Sequence, residues 1–137
     1  ILKGYPIYNE FLLGVTGVGP AMAGVMLSEI DITKAEYPSS LHKYAGLDVA
    51  SDGQGRSRKK EHLEDSEYVD AEGEVKIKKG ITFNPFLKTK LVGVLGSSFI
   101  KQSPDKCVYR KIYDDYKHRL EHMDAHKEKS KGHRHNM

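Results

Sequence analysis

The segment Gly17-Val18-Gly19-Pro20-Ala21-Met22-Ala23 constrains this chain more than any other. It is a Gly-apolar-Gly turn with a small residue four positions after the second glycine. Apolar residues flank it, Tyr8, Phe11 and Leu12 before and Val25, Met26 and Ile30 after. Glycine reaches positive φ and lets a backbone approach a phosphate with no Cβ in the way. A helix that starts there offers unsatisfied N–H groups and the positive end of its dipole to the same anion. Val18 should point inward and pin the turn, and Ala23 should let two helices pack closely. The pattern is that of a helix-hairpin-helix, a device for holding the DNA backbone without reading its sequence. Gly17, Val18, Gly19 and Ala21 are its expected DNA-binding positions. The bland alternative is an ordinary interhelical turn with two glycines. A dinucleotide fingerprint is excluded, because no strand precedes the turn and the spacing is wrong.

The rest of the chain reads as one domain of mainly α, α+β class, built around that turn. A helix-hairpin-helix is expected over about 7–30, with a short helix from Ile7 to Leu13 and a second from Ala21 to Ile30. Ser39 or Ser40 can cap a short helix running to Ala45, and Gly46 suits its C-terminal end. From Ala50 to Arg58 the chain is rich in Gly, Ser and Asp and reads as a mobile loop. Residues 61–70 and 74–82 are expected to pair as strands around Asp70-Ala71-Glu72-Gly73. Asn84-Pro85 predicts a helix start. That helix should run to Lys101 with Phe86, Leu87, Leu91, Val94, Leu95 and Phe99 on its apolar side. A last helix is expected over about 105–129, striped by Tyr109, Ile112, Tyr113, Tyr116, Leu120 and Met123.

Charge is informative in its distribution. The 137 residues carry a formal net charge of +3, too mild to argue for nucleic acid. Yet Arg56, Arg58, Lys59 and Lys60 cluster, and clustered cations attract phosphate by counterion release. Seven acidic residues follow between Glu61 and Glu74, and Lys76, Lys78 and Lys79 restore positive charge; a solvated hairpin of alternating charge is the plain reading of that stretch. The single cysteine, Cys107, cannot form an internal disulfide and fits a reduced cytoplasm. No apolar run nears the roughly 20 residues that cross a bilayer, so no membrane partner is expected. His118, His122 and His126 lie four apart, and His133 and His135 follow. Such spacing can chelate a metal, but the basic surroundings favour a solvated helix end, and no metal site is expected.

Three stretches carry a family resemblance. GVGPAMAGVMLSEI (17–30), LHKYAGLDVA (41–50) and KKGITFNPFLKTKLVGVL (78–95) together resemble the C-terminal domain of the insertion-sequence one-ten/one-sixteen/nine-oh-two transposases, the DEDD-type, bridge-RNA-guided recombinases. The resemblance implies a piece of a larger bacterial, cytoplasmic, DNA-associated enzyme. It implies an N-terminal nuclease domain that binds magnesium, no cofactor within this segment, and DNA, a guide RNA and further copies of the chain as partners. Without the nuclease domain the segment is expected to be inactive. The resemblance also implies a nucleophilic serine just beyond the Ala-Gly-Leu block, which forms a transient phosphoserine link to DNA.

Here the family's Gln-Ser-Gly form is missing, and Ser51 and Ser57 compete. Ser57 is favoured because Arg56, Arg58 and Lys59 surround it and would stabilise phosphate charge. Ser51 is the runner-up, with turn capping as its bland role. No histidine near these serines is expected to complete a protease-like triad, so hydrolase readings fall away. Two other readings stand beside the transposase. One is a non-catalytic helix-hairpin-helix module for DNA or RNA; the other is an oligomerisation domain using the terminal helices.

Overall fold

The computed structural model describes residues 1–125 and residue 128. Among them the α-helices are α1 Pro6–Glu10, α2 Pro20–Glu29, α3 Pro38–Tyr44, α4 Pro85–Lys88, α5 Ser97–Ile100 and α6 Val108–His122. The strands are β1 Glu64–Val69 and β2 Val75–Gly80. The class is α+β, as the sequence suggested. Pro6, Pro20, Pro38 and Pro85 each open a helix, where a missing N–H costs nothing and the fixed φ is already helical. The chain falls into two compact units, one of residues 1–32 with those from Phe86 onward, the other of residues 33–85.

In the first unit, Tyr8, Leu12 and Ala23 form a buried cluster against which Leu2, Val18, Met26 and Leu27 pack. Ala23 is wholly buried, which is why a small residue is needed there. Helix α1 is shorter than expected; it stops at Glu10, and Leu12–Gly14 is a separate 3-10 turn. The Pro85 helix does run to Ile100, but Thr89–Gly96 winds as a π-helix between α4 and α5. That i→i+5 bonding rotates the faces away from the regular 3.6-residue pattern. Leu87 and Leu95 are buried while Phe86 and Val94 are exposed, against the expected single stripe. Phe99 stacks on Tyr109 with ring centroids 4.9 Å apart. Arg110 donates to the Ile100 carbonyl and pairs with Asp114 at 2.7 Å, closing the end of α5.

Helix α6 begins at Val108 and ends at His122, short of the expected 105–129, because Cys107 and Met123 are both extended. Leu120 is buried, whereas Ile112 and Tyr116 of the expected stripe are exposed. His126, Lys127 and Lys129 of the expected helix, and His133 and His135 beyond it, lie outside the described residues.

In the second unit, α3 ends in a Schellman motif. Leu47 N–H donates to the His42 carbonyl at 2.8 Å, Gly46 N–H donates to the Lys43 carbonyl at 3.0 Å, and Gly46 has φ +68°. The expected serine cap of α3 is absent, since Tyr37 holds the cap position and no side chain bonds there. Asn84 N–H donates to the Tyr44 carbonyl at 2.8 Å, and Asn84 Nδ2 to the Tyr44 hydroxyl at 3.2 Å. The Tyr-Ala-Gly-Leu block is therefore a structural node, with Phe83 packed over Gly46.

Strands β1 and β2 pair antiparallel, Glu64 opposite Gly80 and Val69 opposite Val75, somewhat shorter than expected. Asp65 faces Lys79 across the ladder and Lys76 pairs with Asp70, while Glu64 and Glu67 face Gly80 and Ile77. Gly73, at φ +84°, donates its N–H to the Asp70 carbonyl, and Asp70 N–H donates to the Glu74 carbonyl. This is a type I turn closed by a glycine bulge.

Candidate active site in the serine loop

The loop expected to be mobile is closed instead. Ala50 N–H donates to the Gln54 carbonyl at 2.8 Å, and Gly53 N–H donates to the Ala50 carbonyl at 3.0 Å with φ +74° at Gly53. Val49 bridges Gly55, and Arg56 N–H donates to the Asp48 carbonyl at 2.9 Å. The turn repeats the type I and glycine-bulge geometry of the β1–β2 connection. Glycine-rich composition here supplies a bulge residue rather than freedom of movement.

Side chains lock this miniature hairpin. The Arg56 guanidinium grips Asp48 through Nε and Nη2, at 3.2 and 2.8 Å to Oδ2, and Nη1 lies 3.6 Å from Glu64. Burial raises the Asp48 carboxyl, but the bonds and charge of Arg56 outweigh it and hold the group below the usual carboxylate range. Arg56 thus faces carboxylates rather than open solvent. Arg58, Lys59 and Lys60 are exposed.

Beyond the hairpin, a 3-10 turn at Lys60–His62 swings His62 back over the loop. His62 is only 3 % exposed. Its Nδ1 lies 2.9 Å from Ser57 Oγ and 2.9 Å from Ser57 N, and its Nε2 lies 3.0 Å from Asp52 Oδ2. A backbone N–H can only donate, so Nδ1 is the acceptor and the ring proton sits on Nε2, facing Asp52. Asp52 divides its oxygens: Oδ1 accepts Gln54 N–H at 2.9 Å and Oδ2 accepts His62. The His62 bond, then the Gln54 bond, hold the Asp52 carboxyl below its ordinary range. Ser57 Oγ also accepts Lys59 N–H at 3.3 Å.

The expectation that no nearby histidine completes a Ser–His–Asp arrangement is overturned. Asp52, Ser57 and His62 stand five apart in sequence, and the turn plus the 3-10 segment fold them together. In the sequence Asp52 stands out only as a neighbour of Ser51, and His62 does not stand out at all. The signal that could have found them is a lone histidine in a polar stretch, just ahead of a strand and five residues past a serine. Ser51 lies exposed in the turn itself, at its first central position.

Both depressed carboxylates give the loop a pH dependence of fixed sign. Their folded-state pKa values lie below the unfolded ones, so their contribution is complete above the ordinary carboxylate range. It is lost as pH falls through the lower folded values. Amide exchange of Arg56 and Gln54 should stay protected down to about pH 4 and give way in stronger acid. Asp48→Asn should lose protection already at neutral pH.

The glycine turn of the first unit is placed as follows. Gly17 has φ +106°, and a Cβ there would lie 2.6 Å from Gln102 Nε2 and 3.0 Å from Ser98 Oγ. Its carbonyl accepts from Ser98 Oγ at 3.4 Å, and the Thr16 carbonyl accepts from Gln102 Nε2 at 3.1 Å. Val18 packs inward on the Tyr8 cluster. Gly19 is in ordinary extended backbone, φ −82°, with nothing within 4 Å of an added Cβ. No side chain caps α2. Pro20 has no N–H, and Ala23 N–H donates to the Gly19 carbonyl. The N–H groups of Ala21 and Met22 are thus left without a helical partner.

His118 and His122 lie on α6 with ring centroids 4.1 Å apart, and His122 Nδ1 donates to the His118 carbonyl at 2.7 Å. Among the described residues no three metal-ligating side chains gather.

The family model described as Transposase IS116/IS110/IS902 family matches residues 9–66. That segment is a transposase domain of this family. It takes in the glycine turn, the Tyr-Ala-Gly-Leu node, both candidate serines and His62. A role in transposition follows for that segment. No curated protein and no solved structure matches the chain. No helix among the described residues is long and apolar enough to cross a membrane.

Proposed function

We propose that this chain is the DNA-backbone-binding and serine-supplying part of an insertion-sequence transposase, with Ser57 as the nucleophile that links transiently to DNA. The observation that carries the reading is the environment of Ser57 within the family-matched segment. Its hydroxyl is partly buried, fixed by a histidine, and followed by the exposed cations Arg58, Lys59 and Lys60. Ser51 has none of these. The glycine turn and the uncapped start of α2 act as a helix-hairpin-helix that holds phosphate through Ala21 N–H, with Gly17 and Val18 shaping the turn. A magnesium-binding nuclease domain, a guide RNA and further copies of the protein complete the active assembly. A second reading, a non-catalytic binding module, draws on the Lys59 N–H that also occupies Ser57 Oγ, as in a simple serine turn.

The deciding experiment is to trap the full-length protein on DNA, digest it, and map the DNA-linked peptide by mass spectrometry. A link at Ser57 is expected. A link at Ser51 reverses the assignment, and no link at either leaves the binding module.

Two predictions test the interface and a third serves as their control. Gly19→Val should fold, since its Cβ meets open space, and should weaken DNA binding about tenfold by covering the phosphate approach. Normal binding by that variant would make the turn purely structural. Replacing Arg58, Lys59 and Lys60 by alanine should lower the salt slope of binding by about 2–3, since each phosphate no longer neutralised removes about 0.9. Arg56→Ala should act mainly on stability, because its guanidinium already holds Asp48.

A further inference from the structure

The geometry points to His62 as the proton acceptor for Ser57, with Asp52 as the residue that orients it; we infer a compact Asp52–His62–Ser57 relay serving DNA strand transfer. The inference rests on the reading of Ser57 as nucleophile and deepens it.

Three observations carry it. First, the ring is fixed from both sides, by the Ser57 N–H on Nδ1 and by Asp52 on Nε2. That fixes the tautomer in which Nδ1 carries a lone pair toward the serine. Second, Ser57 Oγ lies 2.9 Å from that lone pair, within the reach of a general base. Its other local partner, Lys59 N–H, donates to the oxygen, and the hydroxyl shares the Nδ1 lone pair with the Ser57 N–H. Third, a buried imidazole beside an accessible carboxylate is more than a turn needs. The miniature hairpin is already closed by its backbone bonds and by Arg56–Asp48.

The step balances within this set. Ser57 Oγ forms a bond to phosphorus as the bond from phosphorus to one nucleoside oxygen breaks. The hydroxyl proton passes to Nδ1 and then to the departing oxygen, directly or through water. Rejoining runs the same path backwards, with the incoming hydroxyl as donor. Protonated Nδ1 repels the Ser57 N–H, so the imidazolium is held from the Asp52 side alone and returns its proton readily. The charged group on the ring is Asp52 from the turn, with Lys59 close to that carboxylate; Lys60 and Glu61 precede the ring in sequence. Arg56, with Asp48 and Glu64, flanks Asp52. The nearest of these, Asp52, favours the cationic ring in the transition state.

Asp52→Asn separates positioning from bracing. If the amide oxygen keeps the Gln54 N–H, its NH2 faces Nε2 and demands the other tautomer. Nδ1 would then carry a proton against the Ser57 N–H. The turn bond and the Nε2 contact survive while the Ser57 N–H loses its acceptor, whereas Asp52→Ala loses the turn bond as well.

The experiment uses the full-length transposase and a plasmid recombination assay, with DNA binding and thermal melting as controls. His62→Ala should lower the strand-exchange rate about 10²–10⁴-fold, abolish the acid limb of the rate–pH profile, and recover part of the rate in added imidazole. Asp52→Asn should lose a comparable rate with a smaller fall in melting temperature than Asp52→Ala. If His62→Ala is poorly folded, the Asp52→Asn profile decides alone: an unaltered rate and acid limb overturns the relay. Wild-type rate and profile in His62→Ala, with Ser57→Ala inactive, overturns the relay and leaves the serine reading intact. Activity in Ser57→Ala removes the serine reading and the relay with it.

Discussion

In the full-length transposase, Ser57→Ala is expected to lower strand exchange by at least about a thousandfold while DNA affinity changes less than about threefold. The two effects separate because they depend on different atoms. A backbone-dominated interface draws its affinity from many cations and N–H groups, and one hydroxyl adds little. Covalent transfer needs the oxygen itself. The loop should survive the change, since Ser57 N–H still reaches His62 Nδ1 and Asp48 still holds Arg56. Only the weak Lys59 bond and the hydroxyl–imidazole bond disappear. Ser51→Ala removes an exposed turn hydroxyl and should be nearly silent. The measurements are recombination of a plasmid pair, a denaturing gel for protein linked to DNA, and a filter-binding isotherm. Full activity in Ser57→Ala with loss in Ser51→Ala would reverse the assignment.

Gly46→Ala should be the most damaging single methyl added to the second unit, at about 3 kcal/mol. Two causes add. A side chain at φ +68° is held in the left-handed region at about 1–2 kcal/mol. The new Cβ would also lie 2.6 Å from the Phe83 ring, and forcing such overlap costs about 1–3 kcal/mol. The melting temperature should fall by about 10 °C. Adding Phe83→Ala to Gly46→Ala removes the ring overlap, and the double-mutant cycle with Phe83→Ala alone measures the two causes apart. A drop under about 2 °C for Gly46→Ala would mean that the Schellman end of α3 does not support the loop that follows it.

Much of the architecture was legible because local chemistry decided it. Asn84-Pro85 started its helix where expected, Gly46 ended α3, and Asp70-Ala71-Glu72-Gly73 made the turn of the strand pair. The differences have separate causes. The π winding of Thr89–Gly96 is invisible to a 3.6-residue template, which puts Val94 on the wrong face. The serine loop is read from composition, and composition does not separate a glycine that loosens a chain from one that closes a bulge. His62 escapes such a reading because its partners depend on that closure; until Gly53 adopts positive φ, nothing brings Asp52 under the ring. Ser57 stands out for its cationic neighbours, yet Arg56 is turned toward Asp48, and the imidazole is the group that touches the hydroxyl.

The nesting of Asp52, Ser57 and His62 within one short stretch has a consequence for how this segment tolerates change. Triads gathered from distant parts of a chain depend on the whole fold for their spacing. Here the span is closed by its own backbone and by one ion pair, and the entropy of closing so short a stretch is small. The strand pair that follows from Glu64 leaves it as an appendage, exposed on both faces. Beyond Glu64, which touches Arg56, its length and sequence can therefore drift, be trimmed or be replaced without retuning the hydroxyl. The Asp52–His62–Ser57 geometry travels as a cassette, and the ribbon beyond Glu64 is free to be shaped by whatever it meets.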